Sequence, residues 1–371
     1  VIKNVHSVFI PNAGALKGVE AAAILGALIA DPARELCILE GVTPAMIEKA
    51  QRLCKTDYCA CALAKDVAEL YIRVVATAGT DTAEVTVSGG HTNIVSATRN
   101  GQAVQTDAAQ SEQDAPDKSF MSVRGILEFA DTCDIERIAP LLQRQIDYNA
   151  AIAQEGLAHD HGVNEGRGLL AFYGDDDVRI RARANAAAGS DARMDGCTMP
   201  VVINSGSGNQ GITVSLPVVE YARTLNKSRE ETLRALALAN LIAILQKRTV
   251  GNLSAFCGAV HAAGGAACGI AYLMSGGYDT IADVITYTLG TIGGMLCDGA
   301  KASCASKISH ALDTALMGLQ LSMQTHACFS GGDGLVRRDV EGTIESFGQV
   351  ARLGMKPTNE EVLAVMLQRD E

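Results

Sequence analysis

Tryptophan is absent from the chain, and aromatic residues make up only 4% of its 371 positions. An interior without large rings must be filled by aliphatic and small side chains. With 48% hydrophobic residues and 37 glycines, we expect helices packed closely through small-residue faces. Basic charge is also scarce: 31 Lys and Arg stand against 42 Asp and Glu, a net charge of −11. The run RIRAR at 179–183 lies beside Asp175, Asp176 and Asp177. That is not the basic footprint of a nucleic-acid binder; it reads as a solvated surface, and the acidity mainly serves solubility. Paired, short-spaced Cys/His ligands are missing, which disfavours a zinc site. No Gly-Lys-Ser/Thr ending follows any glycine-rich loop, so there is no Walker loop, and no dinucleotide fingerprint is present.

Other features bound the class. Eleven cysteines, an odd number in a chain of this size, point to free thiols in a reducing cytosol, so a cytoplasmic location is expected. The segment Ala255–Tyr278 carries no Asp, Glu, Lys or Arg. His261 and the pairs Gly264-Gly265 and Gly276-Gly277 make it a buried helix pair rather than a membrane span. No membrane partner is expected. The small-residue helices are compatible with a homodimer.

The expected fold is α+β: an N-terminal mixed α/β domain (1–110) with an antiparallel sheet, then a mostly α-helical domain (111–371). The chain opens at Val1 inside a strand-like run, VIKNVHSVFIP, and its natural beginning is expected to lie upstream. Helical spacing over Val19–Ala30 ends at Asp31-Pro32. Thr43-Pro44 starts another helix. Runs rich in Val, Thr and Ile near 57–64, 69–78, 83–88 and 91–98 predict a meander covered by helices. Residues 108–117 read as a linker. Helices are predicted over 118–130, 135–157, 178–188, 212–224, 229–247, 253–274, 279–297, 300–322 and 358–369.

Several motifs carry chemistry. NSGSGNQG (Asn204–Gly211) precedes a helix, so its backbone N–H groups and the helix N-terminus can hold a carboxylate or phosphate. Ser205, Gly206, Ser207, Gly208, Asn209 and Gln210 are the candidate substrate-binding residues; the plainer reading is a glycine-rich turn. Upstream, SDARMDG offers Arg193 for a bidentate carboxylate contact, although an Asp191–Arg193 surface pair is the simpler expectation. His91 in SGGHTN is placed to shuttle protons, against a structural histidine. Cys257 and Cys297 lie in glycine- and alanine-rich stretches and can meet only through the tertiary fold. Thiolates from remote segments are how iron–sulfur clusters are held. An iron left open is a Lewis acid that assists elimination, which points to an iron–sulfur lyase acting on a small polar molecule. Cys304 is a neighbour of any such cluster if 297–304 is helical, but DGAK reads as a helix start, with Cys297 on the loop before it. Cys59 and Cys61 fall in a strand and point to opposite faces. Cys37, Cys54, Cys133, Cys197 and Cys268 read as buried small hydrophobes, and Cys328 stays ambiguous. A protein of another class, a cluster-free binder of small carboxylates, would also use the NSGSGNQG loop.

The stretches IKNVHSVFIPNAGALKGVEAAAILGALIADP, GGHTNIV, SDARM, SGSGNQGITVSLPVVEYA, LSAFCGAVHAAGGAACGI, GGMLCDGAKASCASK and GGDGLV span almost the whole chain in order. With them the sequence resembles the L-cysteine desulfidase family, relatives of the iron–sulfur L-serine dehydratase alpha chain. The resemblance implies a pyridoxal-free lyase with an oxygen-sensitive [4Fe–4S] cluster that converts L-cysteine to pyruvate, ammonia and sulfide. L-serine dehydration is the alternative on the same scaffold. Cys257 and Cys297 match two cluster ligands. The family's third lies in a Gly-Cys-Thr-Glu-Pro motif expected upstream of Val1. His91 is the first candidate for the general base and Lys301 the second, with a small amino acid as substrate.

Overall fold

The computed structural model describes residues 6, 8–68, 70–105, 118–251, 254–325 and 328–367. Contacts divide the chain into two units: Val1–Ser119 with Glu360–Glu371, and Phe120–Asn359. The first unit holds α1 (Val19–Ile29), α2 (Pro44–Leu53) and a four-stranded antiparallel sheet. Its strands are β1 (Tyr71–Ala78), β2 (Asp81–Ser88), β3 (Ile94–Arg99) and β4 (Gln102–Ala103), in that order. The second unit contains α3 (Val123–Thr132), α4 (Ala139–Ala158), α5 (Glu165–Tyr173), α6 (Val178–Met194), α7 (Gly208–Thr224) and α8 (Arg229–Val250). It continues through α9 (Gly258–Leu273), α10 (Tyr278–Ile292), α11 (Ser303–Thr325) and α12 (Val340–Gln349). Helix α13 (Lys356–Leu367) runs across the division. The fold is α+β, as the residue patterns predict.

The meander forms with its turn at Gly79, where φ is +62°. Residues 57–64, however, form no strand. CACALAK has no β-branched residue and is rich in alanine, so nothing in it favours a pleated surface. Cys59 and Cys61 therefore lie in irregular chain. Among the described residues the sheet is not covered: Ile72, Val74, Val75, Val85, Ile94 and Val95 are all exposed. A small separate core gathers Ile10, Ala13, Leu16, Ala21, Ile24, Leu25 and Ala50. Most of the opening strand (residues 1–5 and 7) and the predicted linker lie outside the described residues; Phe9 pairs with Lys17 in an isolated bridge.

In the second unit, α9 is the centre. Fourteen of its residues are buried, among them His261 and Cys268. It packs against α7, α8, α10 and α11. Small side chains allow this. A Cβ added at Gly265 would lie 2.5 Å from the Ala239 carbonyl oxygen of α8, and one at Gly269 2.9 Å from that of Ala235. Helices this close exclude any side chain between their backbones. The same logic seats α4 and α5 on α6, whose Ala184, Ala186, Ala187 and Ala188 are fully buried. Helix α8 starts with a capping box at Ser228 and Glu231, which satisfies two of its orphan N–H groups. Helices α5 and α12 were not predicted; the glycines in EGRGLL and VEGTIESFG mask their periodicity. Among the described residues, no helix is long and apolar enough to cross a membrane.

Replacing Gly265 with Ala forces a methyl group against backbone that cannot swing away. Overpacking of this kind costs about 1–3 kcal/mol. Urea unfolding of the Gly265→Ala protein should show a loss of that size, and an unchanged midpoint would contradict the packing described.

Candidate functional site

Two backbone segments bring the remote cysteines together. Phe256 and Leu296 form an isolated antiparallel bridge. Its hydrogen bonds run from the Cys257 N–H to the Met295 carbonyl (2.9 Å) and from the Cys297 N–H to the Ala255 carbonyl (2.7 Å). The predicted helix over 279–297 ends at Ile292 and the one over 253–274 begins at Gly258. Gly293 and Gly294 interrupt the first, and Cys257 is the N-cap of α9. Both cysteines thus sit just outside helices, on chain free to pair. Their thiols share a hydrogen bond.

Cys257 is only 8% exposed. The hydrogen bond to Cys297 and then burial push its thiol well above the ordinary range. A pair of this kind is a poor nucleophile, and binding a metal cation to it releases protons. Cys304, in the first turn of α11, adds a third thiol whose charge is felt by both. Burial raises it too. Cys297 lies on the loop before α11, which begins at Ser303. Lys307, one turn beyond Cys304, bonds Asp298 at 2.6 Å. Burial alone would lower the Lys307 ammonium, but Asp298 carries it above its ordinary value, and Cys257 and Cys304 add to that. The i+3 spacing of Lys307 from Cys304 puts the two on one helix face.

The glycine loop supplies the opposite wall. Ser205 (φ +48°) and Gly206 (φ +80°) form a tight turn closed by reciprocal hydrogen bonds between Asn204 and Ser207. The Ser205 hydroxyl donates back to the Asn204 side chain (2.8 Å), and Asn204 is tied to Asn240. The 205–206 tip is therefore turn chemistry. Ser207 caps α7, and Gly208, Asn209 and Gln210 form its first turn, where N–H groups lack intrahelical acceptors. Arg193 lies over this turn. Its Nη1 donates to Asn209 Oδ1 (3.2 Å), and a Cβ on Gly208 would lie 2.4 Å from its Nε. Burial lowers the guanidinium, Cys304 acts against that, and no carboxylate among the described residues pairs with it. A Cβ on Gly258 would meet the Gln210 side chain at 2.4 Å. Gln210 thus wedges between the N-termini of α7 and α9, with its buried Oε1 unpartnered.

Asp191 is not the partner of Arg193. It is 1% exposed, and its Oδ2 accepts from the Gly166 N–H (3.2 Å) at the start of α5. Burial pushes its carboxyl up to about 6, against backbone hydrogen bonds that pull it down. The basic run is not a plain solvated surface either: Arg181 reaches buried Glu220 (2.6 Å) and Arg183 reaches Asp313 (2.8 Å). Lys301 is half-buried on the loop between Cys297 and Cys304 and adds its charge to the surroundings of Asp298. His91 belongs to the first unit, exposed in the turn between β2 and β3. Cys37 and Cys54 are exposed rather than buried, Cys133 and Cys197 are half-buried, and only Cys268 is enclosed. Cys328 donates to the Asp283 carbonyl (3.5 Å). A recess of about 570 Å³ lies elsewhere, beside α5, and includes none of the cysteines.

The cysteine pair fits two positions of a thiolate-bound metal centre: the thiols share a hydrogen bond, Cys257 is buried and Cys297 half-buried, and backbone hydrogen bonds fix both. Among the described residues, no set of three His, Cys, Asp or Glu side chains is gathered closely enough to hold an ion.

The profile of the family described as "Serine dehydratase alpha chain" matches residues 33–364. A UPF0597 protein of Lachnoclostridium phytofermentans is 45% identical over 99% of this chain and 88% of its own length. One from Treponema denticola is 41% identical over 99% of this chain and 87% of its own. One from Phocaeicola vulgatus is 35% identical over 100% of this chain and 86% of its own.

The Asp191 carboxyl gives a test with a definite sign. Its folded value of about 6 lies above the ordinary 3.8, so the fold favours the protonated form. The stability it lends below the ordinary value is lost as pH rises through about 6. Asp191→Asn keeps an acceptor for the Gly166 N–H and carries no charge. Relative to the parent, its stability in urea should improve between pH 4.5 and pH 7.5, and a flat difference would refute the burial effect.

Proposed function

The chain belongs to the serine dehydratase alpha chain family, and on that premise we propose an iron–sulfur-dependent, pyridoxal-free lyase. It eliminates sulfide from L-cysteine to give pyruvate, ammonia and hydrogen sulfide. The observation that carries the reading is the contact of the Cys257 and Cys297 thiols in a region where Arg193, near Cys304, has no carboxylate partner among the described residues.

Cys257 and Cys297 would hold a [4Fe–4S] cluster, with Cys304 close by. Bound there, the cluster would supply a Lewis acid for the departing sulfur. Arg193, with the Gly208 and Asn209 N–H groups at the start of α7, binds the substrate carboxylate. That contact fixes Cα and the leaving group, and positioning supplies much of the barrier reduction because the Cα proton is weakly acidic. Lys301, on the site's own loop, is the group assigned to its removal. Loss of the Cα proton and of sulfide leaves aminoacrylate. Its enamine tautomerises, takes up water and releases ammonia, which balances the products. Ser205 and Gly206 shape the turn that aims α7, and Ser207 fixes the helix start.

L-serine dehydration is the second reading, favoured by the name of the matching family. The same carboxylate contacts serve both substrates, so relative kcat/KM decides between them.

Cys297→Ala should lose iron content, brown colour and sulfide release together in protein prepared without oxygen. Sulfide release that survives without iron would end the cluster reading. Arg193→Met removes a charge-assisted contact worth about 1.5–3 kcal/mol, so KM for the amino acid should rise about tenfold or more. Unchanged KM would remove Arg193 from substrate binding.

A further inference from the structure

His161 lies in the connection between α4 and α5, and both of its ring nitrogens face carboxylates. Nδ1 is 3.0 Å from Asp195 Oδ2, and Nε2 is 3.3 Å from Glu155 Oε1. The side chain is 15% exposed. An ionised carboxylate only accepts hydrogen bonds, and a neutral imidazole has one N–H and one lone pair. Both contacts are satisfied only when the ring is an imidazolium.

The contacts tie together parts that matter for the site. Glu155 lies in the last turn of α4, and Asp195 follows α6 two residues after Arg193. Asp191, one turn before Asp195, holds the Gly166 N–H at the start of α5. The connection 159–166 is thus clamped to the last turn of α6 at two points. The other charged groups nearby are engaged. His159 shares Glu155 (3.0 Å), Asp160 pairs with Arg167, and Glu165 accepts from Ser306 of α11 (2.8 Å).

We propose that His161, as an imidazolium, is a positioning residue that holds the last turn of α6 and thereby sets Arg193 for the substrate carboxylate. The consequence for substrate rests on Arg193 having that role; the clamp itself does not. Burial would lower His161, but its bonds to Asp195 and Glu155 carry it above the ordinary 6.5. A group raised in this way contributes fully below its ordinary value and loses its contribution as pH rises through the folded one. The clamp is therefore closed in mildly acidic solution and opens on the alkaline side of 6.5.

Three measurements on the full chain separate the outcomes. NMR of the labelled histidine ring should show His161 titrating above the free value; titration at or below it overturns the clamp. At pH 6, hydrogen exchange at the Gly166 N–H should be roughly fivefold faster in His161→Gln than in the parent, with the gap closing at pH 9. Equal exchange at pH 6 also overturns it. With L-cysteine as probe in cluster-loaded protein, His161→Gln should raise KM roughly fivefold while leaving kcat within twofold. His161→Arg, charged at every pH, should restore a low KM that no longer rises with pH. Parent-like KM and pH profile in His161→Gln sink the positioning role. If the parent neither binds nor converts L-cysteine, the substrate reading falls, and ring titration with Gly166 exchange still decides the clamp.

Discussion

A pair of backbone hydrogen bonds carries the site: Cys257 N–H to Met295 and Cys297 N–H to Ala255. They join the chain entering α9 to the chain leaving α10. Without them two cysteines from different segments would have no fixed relation. The bonds depend on α9 being anchored, and α9 is anchored by approaches that only glycine and alanine permit. A core of small residues thus has a purpose beyond filling space. It brings helix ends near enough for their N-termini and the thiols to share one region.

Two electrostatic tendencies compete there. The hydrogen bond with Cys297 and burial favour the neutral thiol at Cys257. The starts of α7 and α9, Arg193 and Lys307 favour negative charge. A helix N-terminus contributes about 0.3–1 kcal/mol to an anion, whereas each unit of pKa displacement represents about 1.4 kcal/mol. Helix ends alone therefore do not ionise the pair, and Cys257 stays well above its ordinary value. If a cation took the place of the protons, these positive surroundings would offset the negative charge that a thiolate-bound centre and a substrate carboxylate would accumulate together.

Much of the architecture was legible in periodicity. The meander, the long helices and the central, charge-free α9 follow from apolar spacing and glycine pairs. The convergence of Cys257 and Cys297 was legible through motifs and resemblance, because spacing alone cannot say that residues 40 apart in sequence touch. The failures have physical causes. The expected strand near 57–64 fails because DYCACALA contains no Val, Thr or Ile, and alanine carries little strand preference. Residue type alone suggests burial for Cys37 and Cys54, but a thiol's burial is decided by what packs over it, and both are exposed. Lys307 escaped notice because its meaning depends on the helix start, which DGAK marks only approximately.

The SDARM segment shows how one helical turn can serve two purposes. Adjacent residues on a helix are separated by about 100°, so positions i and i+2 face nearly opposite ways. Asp191 and Arg193 therefore cannot form the ion pair that their proximity in sequence suggests. Asp191 and Asp195 are i and i+4, share a face, and both turn toward the connection 159–166. Arg193 turns the other way, toward α7. Carboxylates on one side hold the turn in place while the guanidinium on the other has no carboxylate partner among the described residues. That division keeps Arg193 desolvated and unpaired by carboxylate, the state in which an arginine gains most from an incoming carboxylate.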